Sequence, residues 1–332
     1  MGGPKRTRKD SRRSTVDDDS DSVSGSGSDD DSDFERAEDW EVDVVENPDT
    51  VQVDLELFNM EGDDYFAVKN FLVPLLDGLV WGASDIAHHL ADDMSAHIGT
   101  TVRVDGGREP YGILTVLNLH RTAGMEATRQ IVRFLLSRIT HKAQKQQLKQ
   151  LLESKSPLGL LLNERVINVP AQIAPPLHMG FWEELEEAAQ LEVVNDSRAL
   201  YFDFEHYVMI TTVLEVIAGD APGPRGKQSR GADRSIEYLK PEDEVYCRNS
   251  TFAFSYPVAG TKHGRWTMGG TVRERKVIVL WHKSAIPNIL AQLSQLASNP
   301  DLYHSESPII TSDDGPFVNP LLEDSAASSS GF

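Results

Sequence analysis

The stretch that most constrains this 332-residue chain is Val277-Ile278-Val279-Leu280-Trp281, five apolar residues with no polar break. Side chains of a strand alternate between the two sheet faces, so such a run requires cover on both. Leu158 to Leu162 reads the same way. A layered arrangement follows, with helices packed on each face of a central sheet.

The rest of the pattern supplies those helices. Val51, Val53, Leu55 and Leu57 alternate as in a half-buried strand. Asp63 and Asp64 precede a helical stretch, Tyr65 to Leu76, that Pro74 kinks or ends. Ser84 or Asp85 caps a helix running to about His97, and Gly99 marks its end. Thr100 to Val104 and Tyr111 to Leu119 read as strands joined through Asp105-Gly106-Gly107. A long helical segment follows Gly124, with Ile131, Leu135 and Ile139 in step, then Leu148, Leu151 and Leu152.

Pro175 and Pro176 start a further helix with Leu177, Phe181 and Leu185 on one face. Glu183, Glu184, Glu186 and Glu187 fall largely on the opposite, solvated face. Ala199 to Phe204 reads as a strand, and Tyr207 to Ile217 fits a strand or a buried helix. Residues 219–234 form a flexible loop rich in Gly and Pro; Val245 to Tyr256 and Lys276 to His282 are strands, and Ser284 caps a last helix to about Leu296. The expected fold is α/β, a single mixed central sheet flanked by helices over residues 50–300, with a polar C-terminal tail over 301–332.

Residues 1–49 differ in kind. A basic cluster, Lys5, Arg6, Arg8, Lys9, Arg12 and Arg13, precedes an acidic, serine-rich run from Asp17 to Asp49 with 15 Asp or Glu against the single base Arg36. So little apolar surface cannot offset chain entropy, and like charges repel, so a disordered tail is expected. The basic cluster has the composition of a nuclear import signal, with nonspecific nucleic-acid contact as the competing reading. The acidic tract, centred on Asp17, Asp18, Asp19, Asp21, Asp29, Asp30, Asp31 and Asp33, either keeps the chain soluble or mimics a polyanion for basic clients. Ser14, Thr15, Ser26, Ser28 and Ser32 each have an acid three residues later, the pattern of acidophilic kinases. Each phosphate would add about −1.5 to −2 charges.

Composition narrows the chemistry. The formal charge of −20 disfavours a duplex-binding face and sequence-specific nucleic-acid recognition. The single Cys247 excludes a disulfide framework and points to a reducing, intracellular compartment. No apolar run reaches the roughly 18 to 20 residues of a membrane span, and no apolar segment suited to a secretory leader follows the basic cluster. His-Glu-x-x-His and Gly-x-Ser-x-Gly motifs are missing, and adjacent His88 and His89 diverge on a helix, so no metal is expected. Gly226-Lys227 resembles the end of a phosphate loop, but Ala221 and Gln228 break the motif.

Arg121-Thr-Ala-Gly124-Met-Glu126 lies between a strand and a helix, where backbone amides can hold a pyrophosphate. It resembles the acetyl-coenzyme A loop of GNAT acetyltransferases, an alternative that would make the chain an N-acetyltransferase. Glu126 stands where that pattern has Gly or Ala and would bring negative charge against phosphate. The loop is therefore read as degenerate and no cofactor is expected.

Leu160-Leu-Leu-Asn-Glu-Arg-Val-Ile-Asn-Val-Pro-Ala-Gln-Ile-Ala-Pro-Pro-Leu177 closely resembles the signature of the BCCIP family of eukaryotic nuclear proteins. Val53 to Phe58, Tyr65 to Leu72, Ile98 to Gly106 and Pro110 to Leu119 support the likeness, which spans roughly Val51 to Leu296. Departures are Asn59-Met60 and the insertion at 219–234. Read physically, Asn163, Glu164 and Arg165 break the buried strand, and Pro170, Pro175 and Pro176 stiffen an elbow into the next helix.

The resemblance implies a GNAT-like fold without established acetyltransferase activity. It also implies a nuclear scaffold that shuttles to the cytoplasm, serving as chaperone or adaptor for a basic client such as a large-subunit ribosomal protein. Import and export receptors, and roles in ribosome biogenesis, nuclear export and the cell cycle, belong to the same expectation.

Overall fold

The run at Val277–Trp281 lies within β9 (Gly270–His282), one of the two longest strands, which pairs along its whole length with β5 (His206–Ala218). Odd-numbered Val277, Val279 and Trp281 enter one core cluster, and Ile278 and Leu280 enter the other. Both faces of the sheet are covered, as five consecutive apolar residues require. The computed structural model describes residues 54–93, 98–194, 201–218, 234–258, 265–267, 270–298 and 310–312.

The remaining strands are β1 (Leu55–Asn59), β2 (Thr100–Val104), β3 (Gly112–Asn118), β4 (Leu158–Arg165), β6 (Arg234–Tyr238), β7 (Phe252–Pro257), β8 (Arg265–Thr267) and β10 (Thr311–Ser312). They form one mixed sheet in the order β1-β2-β3-β4-β5-β9-β7-β10, with β6 beside β5 and β8 beside β9. Most pairs are antiparallel; β4 with β5 and β7 with β10 are parallel.

Helices α1 (Tyr65–Leu72), α2 (Ala83–His88), α3 (Glu126–Arg138) and α4 (Lys142–Glu153) cover one face through Val68, Ile86, Ile131 and Leu148. Helices α5 (Ala174–Val194), α6 (Pro241–Arg248) and α7 (Ile286–Ser298) cover the other through Phe181, Val245 and Ile289. The expected class, a single mixed sheet between helical layers, is the observed one.

Local differences have local causes. Pro74 ends α1 at Leu72 in favour of a 3-10 turn over Val73–Leu76, closed by Asp77 at φ +56°. The helix expected after Gly124 is two helices, because Ile139 is extended and sinks into the core between them. Residues 201–204 of the strand expected from Ala199 are irregular, although Phe202 and Phe204 are buried. The strand expected from Val245 begins instead at Phe252, after α6, which opens on Pro241 with Glu242, Asp243 and Glu244 in its first turn, a strong helix start. His282, not Ser284, caps the turn before α7 and accepts the Ser284 N–H at 3.1 Å.

Residues 219–233 of the expected loop lie outside the described residues, and Arg234 opens β6. Within the expected C-terminal tail, Ile310 is buried and Thr311–Ser312 forms β10.

Candidate functional site

The distinctive feature of the sheet is the place where its parallel pair opens. β4 and β5 pair only from Leu158 with His206 to Leu161 with Met209. Beyond that point, among the described residues, β4 pairs with β3 alone, and β6 takes the vacated edge of β5 from Val213 onward. Ile210, Thr211 and Thr212 therefore line a gap opposite Leu162 to Arg165. Asn163, Glu164 and Arg165 do not break the strand; they extend β4 along that gap.

On the face of α5 and α6 the gap is plugged by paired polar groups. Asp243 bridges it: Asn163 Nδ2 of β4 donates to one carboxylate oxygen at 3.0 Å, and Thr211 Oγ1 of β5 donates to the other. Lys240, placed there by the end of β6, donates to the Asn163 carbonyl and lies 3.3 Å from Glu164 Oε2 and 3.4 Å from Asp243 Oδ2. Arg165 grips Glu242 in a two-point bond of 2.8 and 3.1 Å, and its Nη1 donates to the Val169 carbonyl. Both side chains of that pair are almost wholly buried. Buried charges of this kind persist only when paired and hydrogen-bonded.

The electrostatics follow from burial and neighbours. Burial lowers the affinity of Lys240 for its proton, but Asp243, Glu164 and Glu242 outweigh that and hold it above the ordinary lysine range. Burial raises the carboxyls of Asp243 and Glu164 against the pull of Lys240. Beside the plug, Trp182 Nε1 donates to Tyr246 Oη at 3.1 Å, and Tyr246 Oη shares a hydrogen bond with His178 Nδ1 at 2.7 Å. Burial pushes His178 down to about 3, so its ring is neutral at working pH. The thiol of Cys247 is buried and pushed up by that burial, the reverse of a nucleophile's setting.

On the opposite face the gap leaves a cavity of about 190 Å³, bordered by Pro74, Asp77, Glu164, Thr212 and Lys276. That lies below the roughly 300 Å³ at which ligand pockets begin. Lys276 Nζ crosses its wall to donate to the Pro74 and Leu75 carbonyls at 2.6 and 2.9 Å, with Asp77 Oδ1 at 3.3 Å. Arg138 holds the other oxygen of Asp77 at 2.9 Å.

The loop Arg121 to Glu126 lies elsewhere. It follows Asn118, which pairs with Gly159 at the closed end of the parallel pair, so it is displaced from the opening by most of the length of β4. Four of its amides are engaged internally: the Arg121 N–H donates to Asn118 Oδ1 at 3.0 Å, and those of Thr122, Ala123 and Met125 donate to the Asn118, His120 and Thr122 carbonyls. Arg129 Nη1 donates to the Gly124 carbonyl at 2.9 Å, and Glu126 is pinned by Arg129 and Arg133, whose hydrogen bonds hold its carboxyl below the usual range. The segment that does follow the opening strand is Val166 to Ile173, leading into α5. There Pro175 and Pro176 remove two of the amides that a phosphate at a helix start would use.

Lys5, Arg6, Arg8, Lys9, Arg12, Arg13, the acidic tract and the five candidate phosphorylation sites lie outside the described residues. Sequence reading passed over Lys240, Glu242 and Asp243 as plug residues. The available signal was Lys240-Pro-Glu-Asp-Glu244, whose proline and acids mark a helix start.

These features define a layered α/β protein whose parallel pair is opened and then refilled by ion pairs. The BCCIP family profile matches residues 50–246, more than half of the chain. A protein from Arabidopsis thaliana named Protein BCCIP homolog is 29% identical over 222 residues, covering 65% of this chain and 66% of that one. Protein bcp1 of Schizosaccharomyces pombe is 29% identical over 228 residues, covering 65% and 78%. The crystal structure of BCP1 from Saccharomyces cerevisiae aligns with a TM-score of 0.48 and 16% identity, over 80% of this chain and 97% of that one. The chain belongs to the BCCIP family. Its relatives carry BCCIP and Bcp1 names, not enzyme names.

Proposed function

We propose that this chain is a non-enzymatic protein-binding scaffold of the nucleus, a chaperone or adaptor for basic clients such as a large-subunit ribosomal protein. The observation that carries the reading is the run from Asp17 to Asp49, net −14, set ahead of the family's folded domain. A polyanion attracts cationic surfaces over several ångströms and competes with nucleic acid for them. Phosphate on Ser14, Thr15, Ser26, Ser28 or Ser32 strengthens that attraction. The cluster Lys5 to Arg13 brings the protein into the nucleus, and export receptors return it with its cargo, giving it roles in nuclear export and ribosome biogenesis.

The folded domain supports the non-catalytic reading. We read the opened β4 and β5 pair as a GNAT-like scaffold in which Lys240, Asp243 and Thr211 occupy the space between the strands and Pro175 and Pro176 weaken the helix start as a phosphate cradle. The test is a solubility assay: a basic ribosomal protein is mixed with RNA, with the full chain or with a chain lacking residues 1–49. The full chain keeps the client soluble and the shortened chain does not; equal protection by both refutes the role given to the tail.

A further inference from the structure

The outer edge of the sheet at β1 carries a separate inference. Met60 donates to the Gly99 carbonyl at 2.8 Å, and Asp105 donates to the Asp54 carbonyl at 2.9 Å. With Leu55 opposite Val104 and Asn59 opposite Thr100, these bonds fix the phase of the ladder. Asp54, Glu56, Phe58 and Met60 face β2 with their main-chain groups. The N–H and C=O groups of Leu55, Leu57 and Asn59 consequently point away from the sheet, and among the described residues β1 pairs with β2 alone. Glu56, Leu57, Phe58 and Asn59 are all exposed.

The surroundings select what can pair there. Asp54, Glu56, Glu61 and Asp63 are exposed, and the chain has no basic residue between Asp54 and Lys69. Glu184 of α5, with Glu187 acting on it, lies beside Gly99 and Thr100, the partner of Asn59, and so adds acid at the same end of the edge. A nearby guanidinium, Arg103, is engaged by Asp64 at 3.1 Å and lies over the Phe58 ring at 4.8 Å. A second copy of this chain would set acid against acid, whereas an extended segment alternating Lys or Arg with apolar residues meets acids and the apolar Leu57 and Phe58.

We propose that β1 accepts such a basic extended segment of a client protein by strand addition, its main chain bonding to Leu55, Leu57 and Asn59. This rests on the reading of the protein as a binder of basic clients, and it assigns the folded domain a contact of its own beside the acidic tail.

The test uses the full chain and a synthetic peptide alternating Lys and Val, with hydrogen exchange followed amide by amide. Bound peptide slows exchange at Leu55, Leu57 and Asn59 and leaves Glu56 and Phe58, already bonded to β2, unchanged. Leu57→Pro removes an outward donor at an edge position where proline is tolerated, and abolishes the protection at Leu55 and Asn59. Glu56→Lys, a change of exposed charge that leaves the ladder intact, weakens that protection-linked binding about tenfold, about 1.4 kcal/mol. Peptide binding without protection of the three amides, or protection unaffected by both substitutions, overturns the strand-addition proposal and leaves the tail reading standing. No binding to the full chain at low salt overturns both.

Discussion

Lys240 Nζ lies 3.4 Å from the carboxylate of Asp243, and that one carboxylate also receives Asn163 of β4 and Thr211 of β5. The pair therefore joins two parallel strands at the point where their own hydrogen bonds stop. It takes the place of a ladder, and the sheet depends on it.

Replacing Lys240 by Met leaves buried Asp243, and Glu164 beside it, with one partner fewer each. Such unpaired charges cost about 3–5 kcal/mol. Urea denaturation of Lys240→Met shows that loss, and the double variant Lys240→Met, Asp243→Asn recovers part of it. A single variant as stable as the parent contradicts the structural role of the plug.

His178 gives the stability a pH signature. Its folded value, about 3, lies below the ordinary value of 6.5, so the unfolded chain binds more protons between the two. The stability it contributes is full above pH 6.5 and is lost as pH falls toward 3, with a slope of about 1.4 kcal/mol per pH unit. Denaturant titrations at successive pH values show this slope in the parent and its loss in His178→Gln. Identical slopes in both proteins would show that His178 is not buried in the neutral form.

Asp77 weighs backbone strain against charge. It sits at φ +56°, where Gly would relieve about 1 kcal/mol. Its carboxylate is itself buried and holds buried Lys276 at 3.3 Å and partly exposed Arg138 at 2.9 Å, and breaking a buried pair of this kind costs about 3–5 kcal/mol. The pairing outweighs the strain, so thermal denaturation of Asp77→Gly shows a lower Tm than the parent. A rise in Tm would reverse that ranking.

Much of the fold was legible because burial on two faces leaves a plain pattern. Val277 to Trp281 and Leu158 to Leu162 announced the central strands, and Leu177, Phe181 and Leu185 announced α5. The family signature at Leu160 to Leu177 holds the opening but reads as a strand end, because Asn163 and Arg165 act through α6, a helix hidden because its charged first turn is buried. Hydrophobic patterning reads buried carboxylates as surface. The pairing of Arg165 with Glu242, 77 positions apart, has no local trace, since it depends on where β6, running back along β5, delivers α6. In the Arg121 loop Glu126 alone marks the motif as degenerate; that the register of β3 on β4 sets it at the closed end of the pair has no local trace.

The central claim is that the acidic leader draws basic clients to this domain, and affinity measured across salt tests it most directly. Titrating a basic ribosomal protein with the full chain and with a chain lacking residues 1–49, the account predicts about tenfold or greater weakening without the leader near 0.05 M salt. That difference should vanish near 1 M, where charges are screened within about 3 Å. Equal affinities and equal salt slopes for the two chains would contradict the account.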